Sequence, residues 1–164
     1  MRTAIYPGSF DPVTNGHVDI IRRASRMFER VIIVVMNNSA KRSLFSVEER
    51  VKMIETVTAD AENVEVDVHG GLLIDYCIER DIRICIRGLR AVTDFDYELQ
   101  SAQTNKALSQ GRVDTVFLTT SLNYSYVSSS VAKEIASYGG DVSLLVPEFV
   151  AAALHEKYRG RDHE

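Results

Sequence analysis

Gly8-Ser9 and the nearby run Thr14-Asn15-Gly16-His17 set a turn-forming glycine and a histidine at the opening of a helical pattern. Free N–H groups at a helix start attract anions. A histidine there can donate to a phosphate oxygen, in either tautomer or as the cation, and it can equally cap the helix or pack on a sheet. Arg87 and Arg90 flank Gly88-Leu89. The planar fork of arginine grips phosphate through two hydrogen bonds, and Gly88 removes a side chain that would block approach; arginines are also common on exposed loops. Lys41-Arg42 is a second basic pair, in a loop that solvent alone would also explain. Ser125 and the run Ser128-Ser129-Ser130 precede another helical stretch. Capping accounts for one of these hydroxyls, whereas three in succession suit a phosphate held by side chain and backbone together. Asp94 and Asp96 fall where a helix macrodipole favours acids.

What is missing narrows the chemistry. There is no G-x-G-x-x-G, no G-x-x-x-x-G-K-[ST], no H-E-x-x-H, no G-x-S-x-G and no cysteine–histidine pairing. Many anion grips with no evident base or nucleophile suit nucleotidyl transfer, where positioning and charge stabilisation do most of the catalysis.

These residues need elements to hold them at one place. β-branched runs at Arg2–Tyr6, Val31–Met36, Val64–Val68, Ile82–Ile86 and Val113–Leu118 predict five strands. Between them lie helical stretches. The first runs from Gly16, its face made by Val18, Ile21, Ala24 and Phe28 with Ile20 and Met27 beside them. A Ser46-x-x-Glu49 capping box opens a helix to about Thr58, Leu72–Arg80 is a third, and Thr93-x-x-Asp96 opens a fourth to about Ser109. Ser128–Tyr138 follows, then a last helix with Pro147 in its first turn. Strand–helix alternation of this kind predicts an α/β fold, a parallel sheet with helices on both faces. Ligands of such sheets bind beyond the carboxyl ends of the strands, where the polar and basic residues above concentrate.

The chain has 164 residues, with 19 Lys and Arg against 23 Asp and Glu, a net charge of −4. That suits one domain over 1–164, with a loose tail from about 158. The acidic balance argues against a role coating nucleic acid. No apolar run approaches a membrane span, and Met1 to Val13 lacks the apolar stretch of a signal peptide. Cys77 and Cys85 match neither a redox nor a zinc pattern and read as reduced core thiols, so a cytoplasmic location is expected.

Taken together, Tyr6-Pro7-Gly8-Ser9-Phe10-Asp11-Pro12-Val13-Thr14-Asn15-Gly16-His17 resembles the opening motif of bacterial phosphopantetheine adenylyltransferases, in the nucleotidyltransferase superfamily. Within it Thr14-x-Gly16-His17 matches the superfamily's (T/H)-x-G-H. Val127-Ser128-Ser129-Ser130 is similar to its second, serine-rich signature. The block from Arg87 through Glu98, and Phe45-Ser46-x-Glu48-Glu49-Arg50, match the same family, over about Ile5 to Leu154.

The resemblance implies a Rossmann-like doubly wound sheet of five parallel strands. It implies adenylyl transfer from ATP to 4′-phosphopantetheine giving dephospho-coenzyme A and pyrophosphate, a homohexamer, and use of Mg2+. Carried over position by position, Ser9, Phe10 and His17 would contact ATP, His17 stabilising the transition state. Gly88, Leu89, Arg90 and Glu98 would also bind ATP, as would Tyr124, Ser125, Tyr126, Val127, Ser128, Ser129 and Ser130. Ser9, Lys41, Leu73 and Arg87 would bind phosphopantetheine. The family's usual Thr is Ser9 here, and the aromatic often seen as Trp is Tyr124. The superfamily's basic residue after the serine motif is Lys133. Rival readings are a relative joining cytidylyl to glycerol phosphate or adenylyl to nicotinamide mononucleotide, against which the Arg87-Gly88-Leu89-Arg90-Ala91-Val92 block argues, and a non-catalytic nucleotide sensor on the same fold.

Overall fold

A computed structural model describes residues 2–38, 42–90 and 92–160. Lys41 and the last residues of the expected tail, 161–164, lie outside them. Five strands, β1 (Thr3–Gly8), β2 (Arg30–Met36), β3 (Val64–His69), β4 (Ile84–Leu89) and β5 (Asp114–Thr119), form one sheet in the order β3-β2-β1-β4-β5. Every pairing is parallel. The helices are α1 (Asn15–Met27), α2 (Val47–Val57), α3 (Leu73–Glu79), α4 (Val92–Leu108), α5 (Ser129–Ser137) and α6 (Glu148–Arg159).

Alternation along the strands divides the core. Ala4, Tyr6, Val31, Ile33 and Val35 face one side, with Ile20 and Ala24 of α1, Ile54 of α2, Ala132 of α5 and Leu154 of α6. Ile5, Ile32, Val34 and Cys85 face the other, with Ile74, Tyr76 and Cys77 of α3. Both faces of β1 and β2 are therefore covered, which is why their sequences read as near-continuous apolar runs. β3 and β5 are the edge strands, and the half-exposed pattern of β3 fits that place.

Several boundaries depart from the sequence expectation. β4 runs from Ile84 to Leu89 instead of Ile82 to Ile86, because the ladder with β5 continues through Arg87↔Phe117, Gly88↔Leu118 and Leu89↔Thr119. Arg87, Gly88 and Leu89 are thus strand residues. α4 begins at Val92, so Thr93 lies inside the helix and is not its cap. Pro147 precedes the first turn of α6 as its cap residue, and Tyr158 and Arg159, placed in the expected tail, belong to that helix. Met27, expected beside the apolar face of α1, is exposed. A 3-10 turn at Leu122–Tyr124 carries no periodic signal and escaped the sequence reading.

The feature that matters most for a ligand is where the order reverses. β1 and β2 pair over six positions, from Thr3↔Arg30 to Gly8↔Val35. β1 and β4 pair only at Ala4↔Ile84 and Ile5↔Cys85. Beyond those two pairs both strands continue without a shared ladder, and the crevice expected at a topological switch point opens between them.

Candidate active site

Thr14 caps α1, its Oγ1 accepting from the His17 N–H at 3.3 Å. The Thr14 N–H donates in return to His17 Nδ1 at 3.0 Å. This is a capping box in which histidine replaces the usual Glu or Gln. The helix start therefore sets the tautomer: Nδ1 accepts, so Nε2 carries the ring proton. Burial, with the positive charges of Arg90 and Arg87 nearby, pushes the His17 pKa down to about 4. Of the forms open to it from sequence alone, the structure selects the neutral Nε2–H donor.

Phe10 orients the same ring. Its centroid lies 5.0 Å from that of His17 and 5.4 Å from that of Tyr6, edge-on in both cases. Phe10 adopts φ 48°, the left-handed region that a bulky side chain avoids. Gly8 makes room for it: a Cβ there would stand 3.0 Å from the Phe10 ring. The glycine of the first loop thus admits an aromatic that props the histidine.

A cavity of about 460 Å3 lies between the carboxyl ends of β1 and β4 and the starts of α1 and α5. It brings together Ser9, Phe10, His17, Arg87, Gly88, Arg90, Glu98 and Val127 to Ser130, all expected from sequence. Leu73, Leu89, Tyr124, Ser125 and Tyr126 do not line it. Leu73 packs on the α3 side of the core, Tyr124 packs near α1, and Tyr126 is exposed. The Leu89 carbonyl accepts from Thr120, and the Ser125 hydroxyl donates to the Leu122 carbonyl. A larger depression of about 610 Å3 sits at the amino ends of the strands. Three of its arginines, Arg30, Arg80 and Arg83, already pair with Glu65, Asp67 and Asp81, and it holds no histidine or glycine turn.

The two arginines differ in their engagement. Arg87 grips Glu98 with its fork, Nε and Nη2 each 2.7 Å from a carboxylate oxygen, and Nη1 donates to the Pro7 carbonyl at 3.0 Å. That last bond spans the crevice where the β1–β4 ladder has stopped. The paired carboxylate keeps the Arg87 guanidinium charged, its pKa raised further despite burial. The fork expected to face a phosphate is thus closed on Glu98, leaving its remaining N–H groups for a ligand. Arg90 is more exposed; it bonds Asp94 through Nε at 3.0 Å and the Val127 carbonyl through Nη1 at 3.2 Å. Asp94, expected as a helix-start acid, also holds Arg90 in place.

The serine run divides its labour. Ser128 caps α5 by accepting from the Val131 N–H, Ser129 donates to the Pro12 carbonyl at 2.8 Å, and Ser130 is exposed. Asp11, Thr14, Arg42, Thr120 and Lys133 also line the cavity. Asp11 and Arg50 had no role in the sequence reading, although both lie in quoted motifs. Their signal was an acid and a base at positions now seen to be buried, which sequence patterning could not show.

The described residues offer magnesium no preformed cluster of protein ligands. Among the described residues no three His, Cys, Asp or Glu side chains cluster. The two cavity carboxylates, Asp11 and Glu98, are engaged by Lys133 and Arg87. Among the described residues no helix is long and apolar enough to cross a membrane.

A doubly wound parallel sheet with a basic crevice of about 460 Å3 at its switch point and a histidine on a helix start defines a nucleotidyltransferase-type protein. Comparison with known proteins agrees. A family model described as cytidylyltransferase-like matches residues 5–135. The phosphopantetheine adenylyltransferase of Lachnoclostridium phytofermentans is 52% identical over 164 residues, covering 100% of both chains. That of Streptomyces coelicolor is 53% identical over 161 residues, 98% of this chain and 100% of the other. That of Thermotoga neapolitana is 53% identical over 156 residues, 95% and 96% of the two chains. The chain belongs to the phosphopantetheine adenylyltransferase family, within the cytidylyltransferase-like group.

Proposed function

We propose that this chain transfers the adenylyl group of ATP to 4′-phosphopantetheine, releasing pyrophosphate and forming dephospho-coenzyme A, the penultimate step of coenzyme A biosynthesis. The observation that carries the mechanism is His17, held neutral with Nδ1 engaged by the Thr14 N–H and Nε2–H as its free donor. An acceptor phosphate oxygen forms the new bond to the α-phosphorus, and the α–β bridging bond breaks with its electron pair on pyrophosphate. The acceptor phosphate has a second pKa of about 6, so at neutral pH it attacks as the dianion and needs no base. Charge develops on the α-phosphoryl oxygens, and a positioned neutral donor stabilises it without taking up a proton.

The sheet order supports a division of the crevice. Arg90 and the Val127–Ser130 turn follow β4 and β5, and this side takes ATP. Arg42 and Ser43 follow β2, on the side where Lys41 and Leu73 also fall in sequence, and this side takes phosphopantetheine. Arg87 and Glu98 stand at the boundary. Magnesium is proposed as a companion of the ATP phosphates and not as a resident of the protein. Chelation should then abolish turnover while leaving the melting temperature of the free protein unchanged; a lowered melting temperature would reveal a resident metal.

A homohexamer and a cytoplasmic location complete the reading. Exposed Leu72, Tyr97, Leu108 and Tyr138 and two unlinked cysteines are in keeping with them. Sedimentation should give six times the 18.4 kDa chain mass. The central test is incubation with ATP, Mg2+ and 4′-phosphopantetheine, with dephospho-coenzyme A read by mass spectrometry. Parallel reactions offer CTP with glycerol phosphate, and ATP with nicotinamide mononucleotide. Turnover of either pair in place of phosphopantetheine would overturn the assignment.

A further inference from the structure

Asp11 is 6% exposed, yet it stays charged. Its Oδ2 accepts from the Leu44 N–H at 2.9 Å and its Oδ1 from the Phe45 N–H at 2.9 Å. Oδ2 also meets Lys133 Nζ at 3.0 Å. These bonds outweigh burial and hold the carboxyl below its usual pKa. Arg42 and Ser43, immediately before the two bonded amides, line the cavity. This segment lies between β2 and α2 and belongs to neither a strand nor a helix.

Arg50, 2% exposed, ties the same region from below. Its Nη1 donates to the Ser9 carbonyl at 2.8 Å and to the Met36 carbonyl at 3.3 Å, and its Nε to the Ser46 carbonyl at 3.3 Å. Met36 and Ser46 are the two ends of the β2–α2 connection, and Ser9 is two residues from Asp11. Two buried charges of opposite sign thus fix one loop to another. A buried carboxylate taking two consecutive amides imposes a definite geometry, because each bond lost leaves a charge-facing donor or acceptor without a partner.

We propose that Asp11 is a positioning residue for the acceptor: its carboxylate fixes the Arg42–Phe45 wall of the crevice against the end of β1, so that Arg42 and Ser43 meet the incoming phosphopantetheine. The inference rests on the proposed function for the identity of that acceptor. The effect falls on the acceptor and not on ATP because the two sides are anchored differently. α5, which carries Lys133, keeps the Ser129–Pro12 bond and the packing of buried Ala132 and Ala136 when the Asp11 carboxylate is lost. The Arg42–Phe45 wall has Asp11 and the buried Phe45 ring.

Asp11→Asn preserves size but cannot accept from both amides and pair with Lys133 at once. Steady-state kinetics on the wild type and the variant should show the KM for 4′-phosphopantetheine raised roughly tenfold to hundredfold, as misplacement by about an ångström does. The KM for ATP should stay within about threefold. Hydrogen exchange followed by mass spectrometry should show the Leu44 and Phe45 amides opening faster in the variant. If Asp11→Asn does not fold, Asp11→Ser and the wild type carry the test. In the wild type the Leu44 and Phe45 amides should exchange more slowly than those of Arg42 and Ser43, and equal rates would refute the latch. A parallel rise in both KM values, or unchanged exchange in a variant that folds, assigns Asp11 a purely structural role and overturns the inference. A wild type with no turnover of phosphopantetheine overturns the proposed function, and with it the acceptor named here. A wild type that turns over beside an unimpaired variant overturns the latch alone.

Discussion

At the residue scale the informative group is His17, because its protonation and tautomer are both set by neighbours. His17→Ala should lower kcat by roughly a hundredfold to a thousandfold, the ~2.7–4 kcal/mol typical of one lost transition-state donor. ATP affinity should move far less, since the contact strengthens only as charge develops; calorimetry on ATP beside kcat decides it, and an unchanged kcat removes the role. The pH dependence follows from the same pKa. In the free protein His17 is neutral above about 4, so the acid limb of kcat/KM should track the acceptor phosphate near about 6 and survive His17→Gln. The stability sign also follows. The unfolded histidine takes up its proton near about 6.5, before the folded one does. Stability therefore falls with pH from about 6.5 toward about 4, and His17→Gln should flatten that slope. Arg87 needs a different test, since it is bound to Glu98 as well as facing a ligand. Arg87→Ala leaves Glu98, 11% exposed, without its partner. It should destabilise by the low end of ~3–5 kcal/mol, because the Arg87 side chain keeps 29% of its exposure. Adding Glu98→Gln should recover part of that in urea titrations, and no recovery would show that the pair is not what the arginine supports.

At the scale of elements, the helix starts do more than begin helices. The Thr14 cap orders His17, the Ser46–Glu49 box orders α2 and so Arg50, and the Ser128 cap points α5 at the crevice. Asp19 on α1 secures the segment after β5, accepting from the Ser121 N–H at 3.3 Å and hydroxyl at 2.9 Å, while Arg23 donates to the Thr119 carbonyl. Asp19→Ala should raise the KM for ATP several-fold and leave that for phosphopantetheine unchanged; equal effects on both would place this segment outside the donor side. Elements with strong periodicity, such as β2, α1 and the capped α2, were legible from residue types alone. β4 was misplaced because Arg87-Gly88-Leu89 looks like a loop until its pairing with β5 is seen. The loop after β1, from Gly8 to His17, and the serine run were legible as anion grips. The Asp11 and Arg50 anchors were not, because the bonds from Asp11 to Leu44 and Phe45 and from Arg50 to Ser9 span 33 to 41 residues and leave no local pattern. Arg87 facing Glu98 is a milder case, an i to i+11 contact between strand and helix.

At the scale of the whole molecule, both thiols lie in the core on the α3 side of the sheet. Burial pushes Cys77 up to about 11 and Cys85 up to about 12. Neither should react with a thiol reagent at neutral pH until the sheet opens, since the thiolate is the nucleophile. Labelling rates in low denaturant should therefore equal the global unfolding rate for both residues together. Faster labelling of one would mean that the α3 side opens separately, as local units of a fold can.

Consider again the two-pair ladder between β1 and β4. Had those strands stayed zipped to Gly8 and Leu89, as β1 does with β2, the sheet would be stiffer and the crevice would not exist. Pro7 has no N–H to offer a neighbour, so the seam is resistant to closing in its own covalent structure. What joins the two half-sheets there is a guanidinium reaching from Arg87 to the Pro7 carbonyl. A seam held by a side chain can yield by a rotamer change, whereas a backbone ladder yields only by unravelling. The molecule therefore has a built-in parting line that runs through its own site, and the strand that carries Arg87 is a place where a ligand's charge can tug on both halves at once.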